Sequence, residues 1–221
     1  FGCDNLNIGG EMTGAPSFKN YSGELRFAGE NQSVGWVDVH GGVATVAADA
    51  TVHHDANTWC LAAAYPETAK LALYGQLLTT SANVGIYCGR NFAAAPDNAR
   101  AVVEIFDGAT VQNPFENGSA GCNGWTAGAL KEGLGFGAYY QHGGAVTLNS
   151  NVGSSYLGSG FSAFYLMEGG TMTFDSPLRV GTLKGCTSIF MQTGGTVKLV
   201  QDAAYLYLGS GGGDAIYYAN G

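Results

Sequence analysis

Charge is scarce in this chain. Asp, Glu, Lys and Arg make up 12% of its 221 residues, and nine basic residues against seventeen acids leave a net charge of −8. So few cations leave little to hold a phosphate backbone or an anionic membrane surface, and nucleic acid is not expected as a partner. No apolar run approaches the ~20 residues of a membrane-spanning helix, and no leader-type segment opens the chain. It begins at Phe1 without a methionine and ends at Gly221 inside a repeat. It is therefore read as a piece of a longer protein.

Catalytic signatures are missing as well. There is no GxSxG, no P-loop and no CxxC. The acids are scattered singly, with no Asp-Asp or Asp-x-Asp. A polysaccharide lyase would gather acids on one strand face for Ca²⁺, and a hydrolase would set paired carboxylates at a fixed separation. His53-His54-Asp55 with His40 is the nearest approach to a metal cluster, but adjacent residues of a strand point to opposite faces. Asp214, in GSGGGDAIY, reads as a turn residue, because the glycine-rich Ca²⁺ nonapeptide it resembles works by tandem repetition. No metal, no cofactor and no catalytic residue is expected.

The five cysteines, Cys3, Cys60, Cys88, Cys122 and Cys186, are an odd number without ligand spacing. Cys88 and Cys122 fall at similar offsets in adjacent repeats and are the one candidate disulfide. Against it, NVGIYCG (83–89) aligns with NVGSSYLG (151–158), which puts Cys88 in a leucine's place as a small buried hydrophobe.

What the chain has is glycine, 36 of 221 residues, and a hydrophobic fraction of 46% that speaks against disorder. In its last third one phrase recurs: AYYQHGGAVTL, AFYLMEGGTMTF, SIFMQTGGTVKL and AIYYANG. The anchor glycines Gly143, Gly169, Gly194 and Gly221 stand 26, 25 and 27 residues apart. Such a period, with two short apolar runs and no helical pattern, matches one turn of a β-solenoid, in which each repeat stacks only on its neighbours. Val146 and Leu148, Met172 and Phe174, and Val197 and Leu199 alternate with Thr147, Thr173 and Lys198, and the lysine marks the outward face. A second strand at Tyr156-Leu157, Leu178-Arg179-Val180 and Leu206-Tyr207-Leu208 ends each time in glycine. Earlier anchors at Gly41, Gly75 and Gly108 carry the same unit with seven to ten more residues per turn. LNIGGEMTG and YSGELRF echo it at the N-terminus.

The expected fold is all-β: one right-handed parallel β-helix of about seven coils over 1–221, with long-loop coils over 1–136 and regular ~26-residue coils over 137–221. The hexapeptide period of the left-handed type is absent. Four residues before each anchor stands an aromatic, Tyr139, Tyr165, Phe190 or Tyr217. Stacking would bring these rings to ~5 Å spacing in a ladder. Two readings stand: a core lining, as stacked rings commonly are, or an exposed stripe, which the shared parity of Gln141 and Gln192 favours. The inserted segments 53–69, 89–101 and 116–134 emerge on one face and carry Trp59, Tyr65, Phe92, Phe115 and Trp125. These are the candidate binding residues, against the plainer reading that the loops only cover a flank.

The phrases GGTMTF, GGTVKL and YLYLGSG resemble those of bacterial secreted proteins built from autotransporter-associated β-strand repeats. GGAV (143–146) is also similar to the GGA-hydrophobic motif of chlamydial polymorphic outer-membrane proteins, although its FxxN companion is not evident. The resemblance covers Gly137 to Gly221 well and the first half loosely. It implies a β-helix exported to the bacterial cell surface or beyond, serving as a stalk, adhesin or coat, and it carries over no catalytic residue. The expected function is accordingly a structural or adhesive rod segment whose open ends meet neighbouring repeats or another copy. The alternatives are carbohydrate binding through the loop aromatics or the ladder, and a polysaccharide-cleaving enzyme.

Overall fold

The computed structural model describes residues 5–12, 14–30, 32–54, 59–63, 67–79, 85–89, 99–114, 116–117, 135–149, 154–158, 162–182, 185, 187–200, 202, 204–209 and 212–220. Among them there are strands and turns and no helix. The strands stack as the rungs of a parallel β-helix. The first sheet has nine: Asn5–Ile8, Glu24–Phe27, Val43–Val46, Ala69–Leu73, Arg100–Ile105, Phe136–Gln141, Ser162–Met167, Thr187–Gln192 and Asp214–Ala219. Seven of these, from Val43–Val46 onward, match the seven anchors, and two more lie beneath them.

Seven strands form the second sheet: Gln32–Ser33, Thr51–His53, Gln76–Leu78, Thr110–Gln112, Ala145–Leu148, Thr171–Phe174 and Thr196–Leu199. The third face is split into two sheets of four. Phe18–Asn20, Val37–Val39, Trp59–Leu61 and Ile86–Cys88 form one; Glu116–Asn117, Ser155–Leu157, Leu178–Val180 and Leu206–Leu208 form the other. Among the named strands pairing is parallel except where Glu116–Asn117 meets Ser155–Leu157 antiparallel, and an isolated antiparallel bridge joins Ala63 to Arg100. The antiparallel strand pair falls beside the longest insertion, where the regular coil is interrupted.

Alternation fixes the register. On the first sheet Val103, Tyr139, Tyr165, Phe190 and Tyr217 are partners across successive rungs and face inward. On the second, Val146, Met172 and Val197 align, as do Leu148, Phe174 and Leu199. The core is one continuous column of such residues, from Leu25 and Phe27 up to Leu178, Val180 and Phe190. A one-residue slip would turn every one of them to solvent, so burial holds the register.

The glycine doublets have two separate jobs. At Gly169-Gly170 the first residue lies under the carbonyl of His142, where a Cβ would come within 2.5 Å of the oxygen, and the second has φ +74°. The first position therefore needs close approach and the second a left-handed backbone, and only glycine supplies both without strain. Gly194-Gly195 repeats the arrangement against Glu168.

One anchor belongs to a different corner. Gly75, Gly108, Gly143, Gly169 and Gly194 turn the chain from the first sheet into the second. Gly41-Gly42 instead follows Val37–Val39 of the third face and leads into Val43–Val46 of the first sheet. Its steric partner is Tyr21 O, beside Ser22-Gly23 of the coil below. Val37 and Val39 thus lie on a different sheet from Val103 and Ile105, so the two apolar pairs stand at offsets from their glycines that differ by one residue. Gly221 lies outside the described residues.

Where strands leave a sheet, their backbone groups leave the ladder, and buried amides satisfy them. Asn20 donates to Gly23 O at 3.4 Å and to Val43 O, one coil up, at 3.1 Å. Gln141 does the same at its own corner, donating to Gly144 O at 3.4 Å and to Thr171 O at 3.2 Å. At the end of the second sheet, Asn113 Oδ1 accepts from Asn149 N at 2.8 Å, and Asn149 Nδ2 donates to Thr79 O at 3.1 Å.

Candidate functional site

The ring ladder is buried through most of its length. Tyr139, Tyr165 and Phe190 are at most 2% exposed, and their rings lie 6.0 and 4.9 Å apart with planes tilted by 28° and 14°. Of the two readings the core lining holds for these three. Gln141 is fully buried rather than outward: its side chain points inward and accepts from the Tyr165 hydroxyl at 2.7 Å. Gln192 accepts from Tyr217 in the same way at 2.9 Å and donates to Gly195 O at 3.2 Å. Each glutamine thus links a phenol from the next coil to the glycine corner of its own. Amides of the right length at a corner can be inward residues, so their parity with the rings was no sign of solvent.

The loop aromatics fare differently. Trp59 is not a loop residue. It opens the strand Trp59–Leu61, is fully buried, and lies 5.6 Å from Phe27 and 6.1 Å from His54 between ring centroids. The outward positions Asp38, Cys60 and Tyr87 of the same sheet are buried too, so this flank is not an open platform. Tyr65, Phe92, Phe115 and Trp125 lie outside the described residues. His54 points into the core while His53 is partly exposed, as alternation requires, and Asp55 is outside the described residues. Among the described residues no three His, Cys, Asp or Glu side chains converge on a point that could hold a metal ion.

The proposed Cys88–Cys122 bridge is not made. Cys88 is a free, fully buried thiol in the strand Ile86–Cys88, with Sγ 3.6 Å from Ala138 O, and Cys122 lies outside the described residues. It occupies on the third face the place that Leu157 takes later, which is the hydrophobe's role. Burial pushes its thiol pKa well up, against smaller opposing effects of the Ala138 carbonyl and Tyr139. Burial likewise raises the Tyr165 phenol well above its ordinary value.

Both groups hold their protons longer folded than unfolded, so their contribution to stability is full below the unfolded pKa and lost as pH rises. Urea midpoints should stay level up to the ordinary thiol value of 9.0 and fall above it. They should fall faster beyond 10.0 as the unfolded phenol ionises. Each group supplies a slope of up to ~1.4 kcal/mol per pH unit. In Cys88→Ala the decline should begin only near pH 10; an unchanged onset would show that Cys88 does not set it.

A second set of rings runs along the outside. The residue after each first-sheet strand forms a column at the corner, Tyr74, Phe106 and His142, with centroids 4.3 and 5.1 Å apart. Glu168 continues it, its Oε2 2.6 Å from His142 Nδ1. Near-parallel stacking at 8° between Tyr74 and Phe106 turns the ring faces toward one another and the edges outward. Sugar rings stack on aromatic faces, which this column uses internally. The signal for it was the residue just ahead of each glycine corner.

Among the described residues the last coil is uncovered. Columns that are buried one coil earlier emerge there: Phe174 at 1% gives way to Leu199 at 60%, Val180 at 0% to Leu208 at 47%, and Phe190 at 1% to Tyr217 at 37%. Three strands, Thr196–Leu199, Leu206–Leu208 and Asp214–Ala219, each stand last in their sheet. Among the described residues each is paired on one side only, and all three uncovered edges face the same way, the arrangement that recruits another strand. At the other end, Leu6, Phe18, Asn20, Tyr21 and Leu25 line a cavity of about 400 Å³ between the first rungs. No family model, curated protein or solved structure matches the chain, and the open ends and the outer faces are the features on which its function is read.

Proposed function

We propose that the chain is a structural rod or coat segment, exported to the bacterial cell surface or beyond, that joins further parallel rungs through its open ends. The observation that carries this is the C-terminal end, where three apolar core columns and three strand edges stop together. A further coil in parallel register would satisfy both at once: the edges gain hydrogen bonds, and the exposed columns gain cover. The N-terminal cavity at the other end is lined by Leu6, Phe18, Asn20, Tyr21 and Leu25 together with Ser17, Lys19 and Glu24. Head-to-tail contact of this kind is heterologous, and unless its rotation closes it builds open filaments.

Other described features sit comfortably with a passive role. Glu104 pairs with Lys70 and Glu168 hydrogen-bonds His142 on the outer surface, so each of these acids has a neighbour of its own rather than facing another acid across a groove. Sugar binding has less support, because Trp59 is in the core and the outer rings stack on each other.

A mixing experiment tests the reading. The chain should associate end to end with rising concentration in sedimentation velocity. A C-terminal block, Leu199→Asp with Leu208→Asp, and an N-terminal block, Leu6→Asp, should each abolish end-to-end association on its own, because every such contact needs one native end of each kind. Mixed, the two blocked chains should pair through their remaining native ends. A chain that stays monomeric at about 100 μM overturns the proposal.

A further inference from the structure

The third face carries an outward row of its own toward the C-terminal end. Tyr156, Arg179 and Tyr207 are partners on successive rungs, alternating with Leu157, Val180 and Leu208 of the core columns. Tyr205 stands two residues before Tyr207, with their ring centroids 5.6 Å apart. These two rings are 48% and 38% exposed.

Arg179 is held in this row from two directions. Its Nε donates to Ser154 Oγ at 3.2 Å, and its guanidinium lies over the Tyr207 ring, 4.7 Å from the centroid. Those contacts occupy one nitrogen and one face of a planar group that carries five donors. The end formed by the two Nη groups keeps its donors for a ligand. Among the described residues no carboxylate pairs with Arg179, whereas Lys70 is matched by Glu104. In a chain with seventeen acids and nine bases, a cation oriented by a hydroxyl and a ring but left without an acid is an unfilled anion site.

We propose that Arg179 and Tyr205 bind an acidic sugar, the guanidinium taking its carboxylate or sulfate and the tyrosine ring lying against the sugar ring. A fixed, planar fork of donors matches a two-oxygen anion and is already ordered before the ligand arrives. Tyr205 supplies an exposed ring beside it, unlike Trp59 in the core and unlike the Tyr74 column, whose faces are turned on one another. A single cation cannot hold a phosphate backbone, which is gripped through many charges. The net charge of −8 opposes a small anion only weakly, because salt screens acids beyond ~8 Å while the contact itself is made at ~4 Å.

The row points away from the solenoid axis, so the test does not depend on the ends. Calorimetric titration with a galacturonate tetramer should show binding with a Kd of about 1 mM or tighter. Its methyl ester, which keeps the rings and loses the charge, should bind at least tenfold more weakly. Arg179→Met should lose the acid form as completely, Arg179→Lys should retain part of it, and Tyr205→Ala should weaken it several-fold. Lys198→Met, on the second sheet, should change nothing; circular dichroism confirms that each variant keeps its strands. Dextran sulfate against plain dextran separates the two anions, and preference for the charged form in either pair supports the site. Failure of both the tetramer and dextran sulfate to bind at about 5 mM sugar units overturns the proposal. So does equal binding by Arg179→Met, or a tetraglutamate peptide that binds as tightly as the tetramer.

Discussion

Tyr165→Ala should destabilise the fold by about 4 kcal/mol, the upper range for emptying a fully packed aromatic site. Its ring is buried between Tyr139 and Phe190, and no part of it touches solvent. Deletion opens a void in the middle of the ladder, where rungs on both sides are hydrogen-bonded in place and cannot collapse inward. It also strips Gln141 Oε1 of its donor inside the core, which adds the cost of an unsatisfied polar atom. Tyr165→Phe keeps the ring's packing and removes the hydroxyl with its bond to Gln141, so it should cost about 1 kcal/mol. The gap between the two variants, read from urea unfolding followed by circular dichroism and fluorescence, separates packing from hydrogen bonding. Equal losses would mean that the hydroxyl, not the ring, carries the site.

Gly170→Val should cost about 3 kcal/mol or more, although the residue is exposed. Two causes add. Its φ of +74° is a conformation that β-branched residues almost never adopt, and a Cβ there would come 2.7 Å from Gly143 O. Neither can relax without shifting the corner of the coil below. Gly108→Ala is the control. Gly108 has φ +83° but open space around it, so only the backbone term applies, about 1 kcal/mol. Should the two substitutions cost the same, the close approach between corners would have no energetic weight.

Much of this architecture was legible in the sequence because a β-helix writes its geometry into spacing. In the regular coils, the distance between glycines is the length of a turn, and alternation on either side gives the inward face. Tyr165 over Phe190 and Met172 over Val197 follow directly. The reading weakened where two corners use the same words. HGGV at 40–43 and HGGA at 142–145 look alike because both corners need a close-approach glycine followed by a left-handed one. Nothing in the residues themselves says which sheet comes next.

Trp59 was misplaced for a related reason. Pro66, Asn57 and the alanines around it give 53–69 the composition of a loop, yet three of its residues form a rung of the third face. Burial there depends on which strands flank it in space. Gln141 was misread because alternation assigns a side, while hydrogen-bond demand decides whether a polar side chain is welcome on it. That demand arises only once the corner carbonyls of Gly144 and Thr171 are brought within reach.

Because the strands stack in parallel, the hydrogen bonds between rungs run along the rod's long axis, while the covalent chain circles it. Tension applied through the two termini therefore does not load the whole column at once. It enters at an outermost coil and peels that coil away before the next one feels it, releasing roughly 90 Å of slack per 26-residue turn. Such a rod would yield in steps from its ends, holding a graded force over a long extension instead of snapping at a single threshold.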